Sequence, residues 1–220
     1  VALDRVTLLN VEIDLENPSG ERTTGRGSMP MGNVWAYPSS KLKYDQTLAA
    51  MKVATELVQK LYSQCNLSEH PLELGHTLEQ QAIGLCPEIT ARLNLADPIP
   101  PLAVLVVNSP FDAALHDGFG KLLNRSSYQT YGRDMLPFDL GHFLGKEYAG
   151  KHLADYIQTT PVAKLPLYHL VGALDPLTPE EVVNPINDRL PEHLGEWIRF
   201  NGLTNLKIKL NGEDLAWDVN

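Results

Sequence analysis

One alternating segment near the end of the chain, residues 203–212, most constrains the fold. Within it, apolar residues alternate with Lys207 and Lys209, and the dipeptide Asn211-Gly212 follows as a turn signal. This alternation predicts a β-strand. Successive side chains of a strand point to opposite faces, so the two lysines should share one face. Repulsion between neighbouring ammonium groups favours the neutral amine that a lysine general base needs. The alternative is an exposed edge strand whose lysines oppose aggregation.

The segments around that strand predict a parallel α/β unit. Residues 163–173 read as a buried strand, residues 190–200 as a helix, and a further helix begins in residues 213–219. Strand, helical connection, strand and helix in this order are typical of parallel sheets. Because the character of the chain changes before this unit, we expect one domain over residues 1–160 and a second over residues 161–220.

Composition excludes several classes of function. The 220 residues carry 27 acidic and 18 basic side chains, a net charge of -9, with no basic cluster to follow a phosphate backbone. We therefore expect no nucleic-acid partner. The longest apolar run, residues 100–107, is too short to span a bilayer, so we expect no membrane partner and a cytoplasmic protein. Cys65 and Cys86 lack metal-ligand spacing and are predicted to be buried free thiols.

The N-terminal part predicts a β-hairpin followed by a loop. Residues 6–15 alternate as a strand, residues 23–28 can return antiparallel to it, and residues 29–40 read as a loop. Methionine and aromatic side chains on this loop can line an apolar substrate pocket, although a loop folded onto its own domain would use them equally well. The candidate substrate-binding residues are Met29, Met31, Trp35 and Tyr37.

Three helices are predicted next. Residues 43–64 and 74–85 have helical apolar spacing. The third is predicted to begin with Ser109 as N-cap and Pro110 at the first helical position. Small residues in this third helix indicate close packing against another element: Ala113, Ala114 and Gly118.

Three histidines in or near these helices are interpreted as non-catalytic: His116 as structural, and His70 and His76 as residues of a turn-rich surface segment. Neighbouring residues on a helix point about 100° apart, so His116 and Asp117 cannot pair with each other catalytically. His70 and His76 lack a carboxylate at ligand spacing and are predicted to be surface residues rather than metal ligands.

The order of these segments resembles the enolase superfamily, in particular its mandelate racemase and muconate lactonizing branch. The segment 113–121, Ala-Ala-Leu-His-Asp-Gly-Phe-Gly-Lys, looks like that branch's small-residue helix, and Thr24-Gly25-Arg26-Gly27-Ser28 looks like its Gly-x-Gly strand. Ser28 departs from the acidic residue that is customary there. The Lys-x-Lys pair alone is a weak match, but its position at the end of this series makes it much stronger.

The resemblance implies an α+β capping domain followed by the first strands of an incomplete (β/α) TIM-type barrel. It further implies Mg2+-dependent removal of the proton next to a carboxylate, through an enediolate. By resemblance Lys209 is the base, Lys207 keeps Lys209 neutral and faces the substrate carboxylate, and residues 29–38 form a loop that closes over the substrate. A dehydratase, racemase or epimerase of acid sugars, acting on a small carboxylic acid as a homo-oligomer, is expected.

Length departs from the resemblance. Eight βα units occupy about 250 residues, whereas the residues after the first barrel-like strand amount to fewer than two units. The family's Mg2+ ligands, at the ends of the third to fifth strands, are therefore expected outside this sequence, and no metal ligand is assigned within it. We expect the 220 residues to be a fragment that neither binds the metal nor turns over substrate by itself.

Two other classes of function stay open. Aldolases also place a lysine on a barrel strand, where it forms a Schiff base with a carbonyl substrate. A non-catalytic, acidic α+β interaction module is the other. The module predicts no exposed apolar barrel edge, whereas the incomplete barrel predicts that several strand residues lack their full set of neighbours: Leu167, Leu170, Leu206 and Ile208.

Overall fold

A computed structural model gives the structure of this protein and describes residues 6–158, 160, 162–210, 212 and 214–219. The chain divides into two units, Val1–Thr160 and Pro161–Asn220, and each is described by itself. Helices and two small sheets make the fold a mixed α/β one. The identification of these units as a capping domain and the start of a barrel stays a prediction.

The first unit begins with the antiparallel hairpin that the sequence predicts. Strand β1 (Leu8–Glu16) pairs with β2 (Arg22–Pro30) in a regular register in which Ile13 lies opposite Gly25. The connecting turn closes on Asn17, whose Oδ1 accepts hydrogen bonds from the backbone N–H groups two and four residues later, at 3.1 and 3.0 Å.

Helices and their connecting segments follow the hairpin in the first unit. They are α1 (Asn33–Ala36), α2 (Tyr44–Gln64), α3 (Pro71–Ile83), α4 (Cys86–Arg92), α5 (Pro101–Leu122) and α6 (Leu140–Leu144). Short 3-10 helices span Ser127–Thr130, Lys146–Tyr148 and Leu153–Asp155. The predicted second helix was placed too late in the chain, because α3 begins at Pro71 with His70 as its N-cap.

The core of the first unit lies between the hairpin and the long helices α2 and α5. Its largest fully buried apolar side chains are Met51, Val58, Ile89, Ile99, Val104 and Val107. These residues come from α2, α4, α5 and the segment before α5, so one apolar cluster joins the helices to the sheet.

Helix α5 packs against β2 with almost no space between the two backbones. A Cβ atom on Gly25 would overlap the carbonyl oxygen of Ala114, and one on Gly27 would overlap that of Pro110. Gly118 completes the contact, since a Cβ there would lie 2.5 Å from a methyl carbon of Leu15. The prediction that the small-residue helix packs closely against another element is therefore confirmed.

The predicted start of this helix at Ser109 is wrong. The first helical residue of α5 is Pro101, nine residues before the predicted one, and the helix continues through Pro110. Proline has no N–H to donate to the carbonyl four residues before it, which here is that of Val106. The hydroxyl of Ser109 donates to the Val106 carbonyl instead, at 3.0 Å, and this side chain replaces the missing backbone hydrogen bond.

The second unit contains a small parallel sheet. Strand β3 (His169–Val171) pairs with β4 (Leu206–Ile208), with His169 opposite Leu206. A 3-10 helix (Pro179–Glu181) and α7 (Leu194–Asn201) connect the strands, and α8 (Leu215–Val219) follows β4. The predicted parallel strand-helix-strand-helix order is confirmed. Both strands are shorter than predicted, and Asn211 and Glu213 of the predicted turn and helix lie outside the described residues.

No helix within the described part of the chain is long and apolar enough to cross a membrane.

Candidate functional site

The candidate site in the second unit lies where both parallel strands end. A cavity of about 640 Å³ is lined by residues that follow β3 and by Ile208 and Lys209 at the end of β4. In parallel sheets the carboxyl ends of the strands are the usual place for ligands. The lining residues that follow β3 are Gly172, Ala173, Leu174, Asp175, Leu177 and Glu181.

Lys209 is the predicted catalytic residue that the structure places in this cavity. Its backbone N–H donates to the carbonyl oxygen of Val171 at 2.9 Å, so the strand pairing continues one residue beyond β4. The Val171 side chain is only 3% exposed, and its burial anchors this end of the sheet. The side chain of Lys209 is exposed and lines the cavity.

Lys207 has different surroundings from Lys209. Its ammonium nitrogen lies 5.4 Å from the centroid of the Tyr168 ring, a distance at which the ring face attracts a cation. Lys207 is not among the residues that line the cavity. The structure therefore brings one lysine of the predicted pair to the cavity, and the joint action of the two lysines stays a prediction.

Three carboxylates also line the cavity, each held by a backbone N–H group. Asp175 accepts from Gly172 at 2.6 Å, Glu181 from Leu177 at 2.9 Å and Asp218 from Gly212 at 2.8 Å. Within the described ranges, no three histidine, cysteine, aspartate or glutamate side chains are placed to hold a metal ion. The residues present here do not fit a Mg2+ site.

Sequence reasoning missed Asp175 and Trp217, which both line this cavity. Asp175 could have been found from its position, because it comes two residues after the predicted strand that ends at Ala173. Trp217 could not, because nothing in the sequence of α8 indicates which of its side chains turns toward the strand ends.

The predicted substrate-binding residues of the first unit are mostly core residues. Met31 is 4% exposed and Tyr37 is 2% exposed, and the Tyr37 hydroxyl donates to the carbonyl oxygen of Asp97. Met29 is not on a loop, since it belongs to β2 and packs against the core. Trp35 lies in α1, is 54% exposed, and can meet a ligand. Met31 and Tyr37 thus fit the alternative in which the segment folds onto its own domain.

The His116-Asp117 dipeptide has the structural role that the sequence predicts. Asp117 accepts hydrogen bonds from the backbone N–H of Arg26 at 2.8 Å and from the Lys121 ammonium at 2.6 Å, so it ties α5 to β2. The Lys121 ammonium lowers the pKa of Asp117. His116 faces a different carboxylate, that of Asp112, with 3.7 Å between Nε2 and Oδ1.

His70 was wrongly predicted to be a surface residue. It is 7% exposed, and its Nδ1 accepts the N–H of Leu72 at the start of α3. Its Nε2 lies 3.2 Å from the hydroxyl oxygen of Thr130. Cys65 and Cys86 are free, as predicted, but each is only half-buried.

Comparison with protein-family models, with curated proteins and with solved structures found no match to this chain.

Proposed function

We propose that this chain supplies the lysine base of an enzyme that removes the proton next to a carboxylate, of the acid-sugar dehydratase, racemase or epimerase type. The observation that carries the proposal is the position of Lys209 in a cavity at the carboxyl ends of two parallel strands. The resemblance to the mandelate racemase and muconate lactonizing branch, which rests on the ordered segments and the Lys-x-Lys pair, supports it further.

Lys209 acts in this proposal as a neutral amine. The amine takes the proton from the carbon next to the carboxylate and becomes an ammonium group, and the electron pair of the broken C–H bond passes into an enediolate. Leu174, Ile208 and Leu210 line the same cavity and offer apolar contacts to the substrate carbon skeleton.

By the resemblance, Lys207, which lies outside the cavity lining, carries the positive charge that attracts the substrate carboxylate. The face of the Tyr168 ring, 5.4 Å from the ammonium nitrogen, stabilises that charge. Attraction between Lys207 and the carboxylate lowers the cost of forming an enediolate, because negative charge on the substrate increases as the proton leaves.

Mg2+ is the cofactor that the resemblance implies, and the proposal assigns it no residue of this chain. Its ligands belong to strands that the resemblance places after this segment in a longer protein. A homo-oligomer, a cytoplasmic location and a small carboxylic acid as substrate belong to the same proposal.

Exposure of the strand side chains favours an incomplete barrel over an acidic interaction module. Leu167 is 84%, Leu170 47%, Leu206 40% and Ile208 67% exposed. A module that binds no partner through these residues would bury them, because large exposed apolar patches are rare on monomeric proteins outside interaction sites. Further strands of a longer protein would cover them.

The first test is the complete reading frame or the intact mass of the native protein. A closed barrel requires roughly 150 to 200 further residues after Asn220, with carboxylates at the ends of three of the new strands. In that native protein, NMR in D2O would follow exchange of the proton next to the carboxylate in a panel of acid sugars, with Mg2+ added.

Three variants of the native protein assign the roles of the lysines. We expect Lys209→Ala to lower the exchange rate at least about 100-fold, as loss of a general base does, and Lys207→Ala to raise KM. Lys164→Ala is the matched control, since Lys164 is an exposed lysine of the same unit outside the cavity. Equal activity of the Lys209 and Lys164 variants would sink the proposal.

Two further outcomes identify the alternatives. Activity that survives chelation, together with a borohydride-trapped adduct on Lys209, would indicate a Schiff-base enzyme. A native protein that ends at Asn220 and exchanges no proton would indicate the acidic interaction module.

A further inference from the structure

The first unit contains a second cavity, of about 710 Å³, with helices α3 and α5 on one side and residues 140–153 on the other. The side chains that residues 140–153 contribute to its wall are large and apolar: Leu140, Phe143, Leu144 and Leu153. One wall of the cavity therefore comes from a segment outside the long helices of the core.

Residues 139–151 form a loop that closes on itself. The backbone N–H of Leu140 donates to the carbonyl oxygen of Lys151 at 2.7 Å, which joins the two ends. The Asp139 carboxylate accepts the backbone N–H groups of His142 at 3.2 Å and of Gly150 at 2.6 Å. Compact surface loops with neighbouring ends are frequently functional. Because these hydrogen bonds connect the start of the loop to its middle and its end, the loop should open and close as one unit.

The loop is weakly attached to the core. None of residues 139–151 is buried, whereas α3 and α5 both contribute fully buried side chains to the first unit. Segments with few buried apolar contacts open locally at a lower free energy than the core. We therefore expect the loop to open before either helix unfolds.

A hydrogen bond to a carboxylate fastens the loop to helix α3. The Nε2 atom of His142 lies 2.9 Å from Oε1 of Glu73, whose side chain is only 12% exposed. The other carboxylate oxygen of Glu73, Oε2, is buried and has no hydrogen bond among the described residues. Burying a carboxylate without a hydrogen-bond partner is costly, so the His142 contact compensates for the burial of Glu73.

Aromatic rings hold His142 in the orientation that this contact needs. Its ring stacks on that of Phe138, with 4.4 Å between the centroids, and lies perpendicular to that of Phe143 at 4.8 Å. Phe143 also packs against His76 of α3, with 5.4 Å between the ring centroids. The loop thus meets α3 through the hydrogen bond to Glu73 and a small aromatic cluster.

We propose that residues 139–151 form a strap over one side of the cavity, which opens as a unit while the rest of the first unit stays folded, and that the contact between Glu73 and His142 is its latch. Opening removes the apolar wall of the strap and exposes the cavity to solvent on that side. The strap lies within the first unit and is independent of the function proposed for Lys209.

Hydrogen exchange of the 220-residue protein, followed by mass spectrometry, tests the strap. The hydrogen-bonded backbone amides of Leu140, His142, Gly150 and Lys151 exchange when the strap opens. We expect peptides from the strap to exchange faster than those from α2 and α5, under conditions that leave the protein folded. Exchange of the strap at the same level as α2 and α5 would overturn the proposal, because the strap would then open only by global unfolding.

A pair of histidine variants tests the latch. His142→Phe removes the hydrogen bond to Glu73 and keeps an aromatic ring beside Phe138 and Phe143. We expect exchange within the strap to become about tenfold faster, as loss of a hydrogen bond to a charged group does, while α2 and α5 keep their protection. His76→Phe is the matched control, because it makes the same substitution in the same aromatic cluster without removing the bond to Glu73. Exchange of the strap should be unchanged in this control.

Circular dichroism establishes that each variant is folded. Glu73→Gln, which removes the charge from the other half of the latch, replaces His142→Phe if the latter unfolds. Equal exchange of the strap in the latch variant and in His76→Phe would overturn the assignment of the latch, and so would faster exchange that spreads over α2 and α5.

Discussion

The two units of this chain differ in how completely each buries its own apolar residues. In the first unit, β2 and α5 approach until glycine alone fits between them, and a continuous cluster joins hairpin and helices. In the second unit, Val171 is the one buried apolar residue among those described, while Leu174 and Val183 are 85% and 84% exposed. The proposed chemistry therefore lies in the unit with the smaller core.

This difference shows which of the two units has enough buried apolar area in its own sequence to be stable by itself. Burial of apolar area is the main favourable term in folding, so the first unit carries its own stability. Three-residue strands such as β3 and β4 need neighbours, because a two-stranded sheet is marginal in water. Mutations should thus have large effects on the stability of the first unit and small effects on that of the second.

Gly25→Ala should give the largest loss of stability. The added methyl group would overlap the carbonyl oxygen of Ala114, and neither backbone can yield without separating β2 from α5. We expect the free energy of unfolding to fall by about 3 kcal/mol, measured by urea denaturation. Arg26→Ala is the control on the opposite strand face and should cost less than about 1 kcal/mol, since it removes an exposed ion pair with Glu12.

A fall of under about 1 kcal/mol for Gly25→Ala would mean that β2 and α5 are farther apart in solution, because overpacking of a tight contact usually costs more than this. The contrast between the two units would then lose its main support.

Acid should destabilise the first unit through His70. Burial is the main reason that the pKa of His70 falls to about 4, and the neighbouring His116 lowers it further. The unfolded chain takes up a proton near the ordinary pKa of about 6.5, whereas the folded chain does so only near 4. The contribution of neutral His70 to stability is therefore fully present above about pH 6.5. As the pH falls toward 4, this contribution is lost and the free energy of unfolding decreases by about 2 kcal/mol.

The geometry around His70 explains this direction. Its Nδ1 accepts the N–H of Leu72, so a proton on that nitrogen would remove the cap of α3. His70→Asn keeps an acceptor for the cap and should flatten the pH dependence of unfolding between pH 4 and 6.5. The lowered pKa of His116 also makes acid destabilising, whereas the raised pKa of Asp112 makes acid stabilising. The slope of the unfolding free energy against pH is therefore compared between the His70 variant and the parent protein. Equal slopes in both proteins would contradict the assignment to His70.

Ser109→Ala should cost about 1 kcal/mol. The Ser109 hydroxyl satisfies the Val106 carbonyl, which Pro110 cannot reach with an N–H group, and Val106 is 5% exposed. Ser63→Ala is a matched control on α2, where the hydroxyl makes the same bond to the carbonyl of Lys60 in an ordinary, exposed helical turn. That change should stay within about 0.5 kcal/mol. Thermal unfolding of both variants checks the pair, and equal shifts in Tm would refute the compensating role.

The sequence predicted the features that depend on local interactions and failed on those that depend on residues far apart in the chain. The hairpin, helix α2 and the parallel order of the second unit were predictable because their periodicity is local. The start of α5 was not, because Ser109 and Pro110 carry a strong local cap signal that the surrounding core overrides. Burial of His70 was likewise not predictable, since it depends on Thr130, which lies sixty residues later.

The candidate sites follow this rule as well. Lys209 was predictable from an alternating strand, whereas the cavity beneath the strap was not, since its walls come from helices and turns far apart in the chain.

Ile208→Thr should have the smallest effect on stability and is compared with Ile13→Thr. Ile208 is 67% exposed in β4, whereas Ile13 packs against the core from β1. Threonine keeps the β-branch in both strands, so the comparison isolates the lost apolar contact. Hydrogen exchange followed by mass spectrometry reads each unit separately. We expect a change within about 0.5 kcal/mol at Ile208 and about 1.5 kcal/mol at Ile13. Equal losses at both positions in the 220-residue protein would mean that Ile208 is covered in solution. In a longer native protein, the strands of the proposed barrel would cover Ile208, and the loss of stability there should rise to match the loss at Ile13.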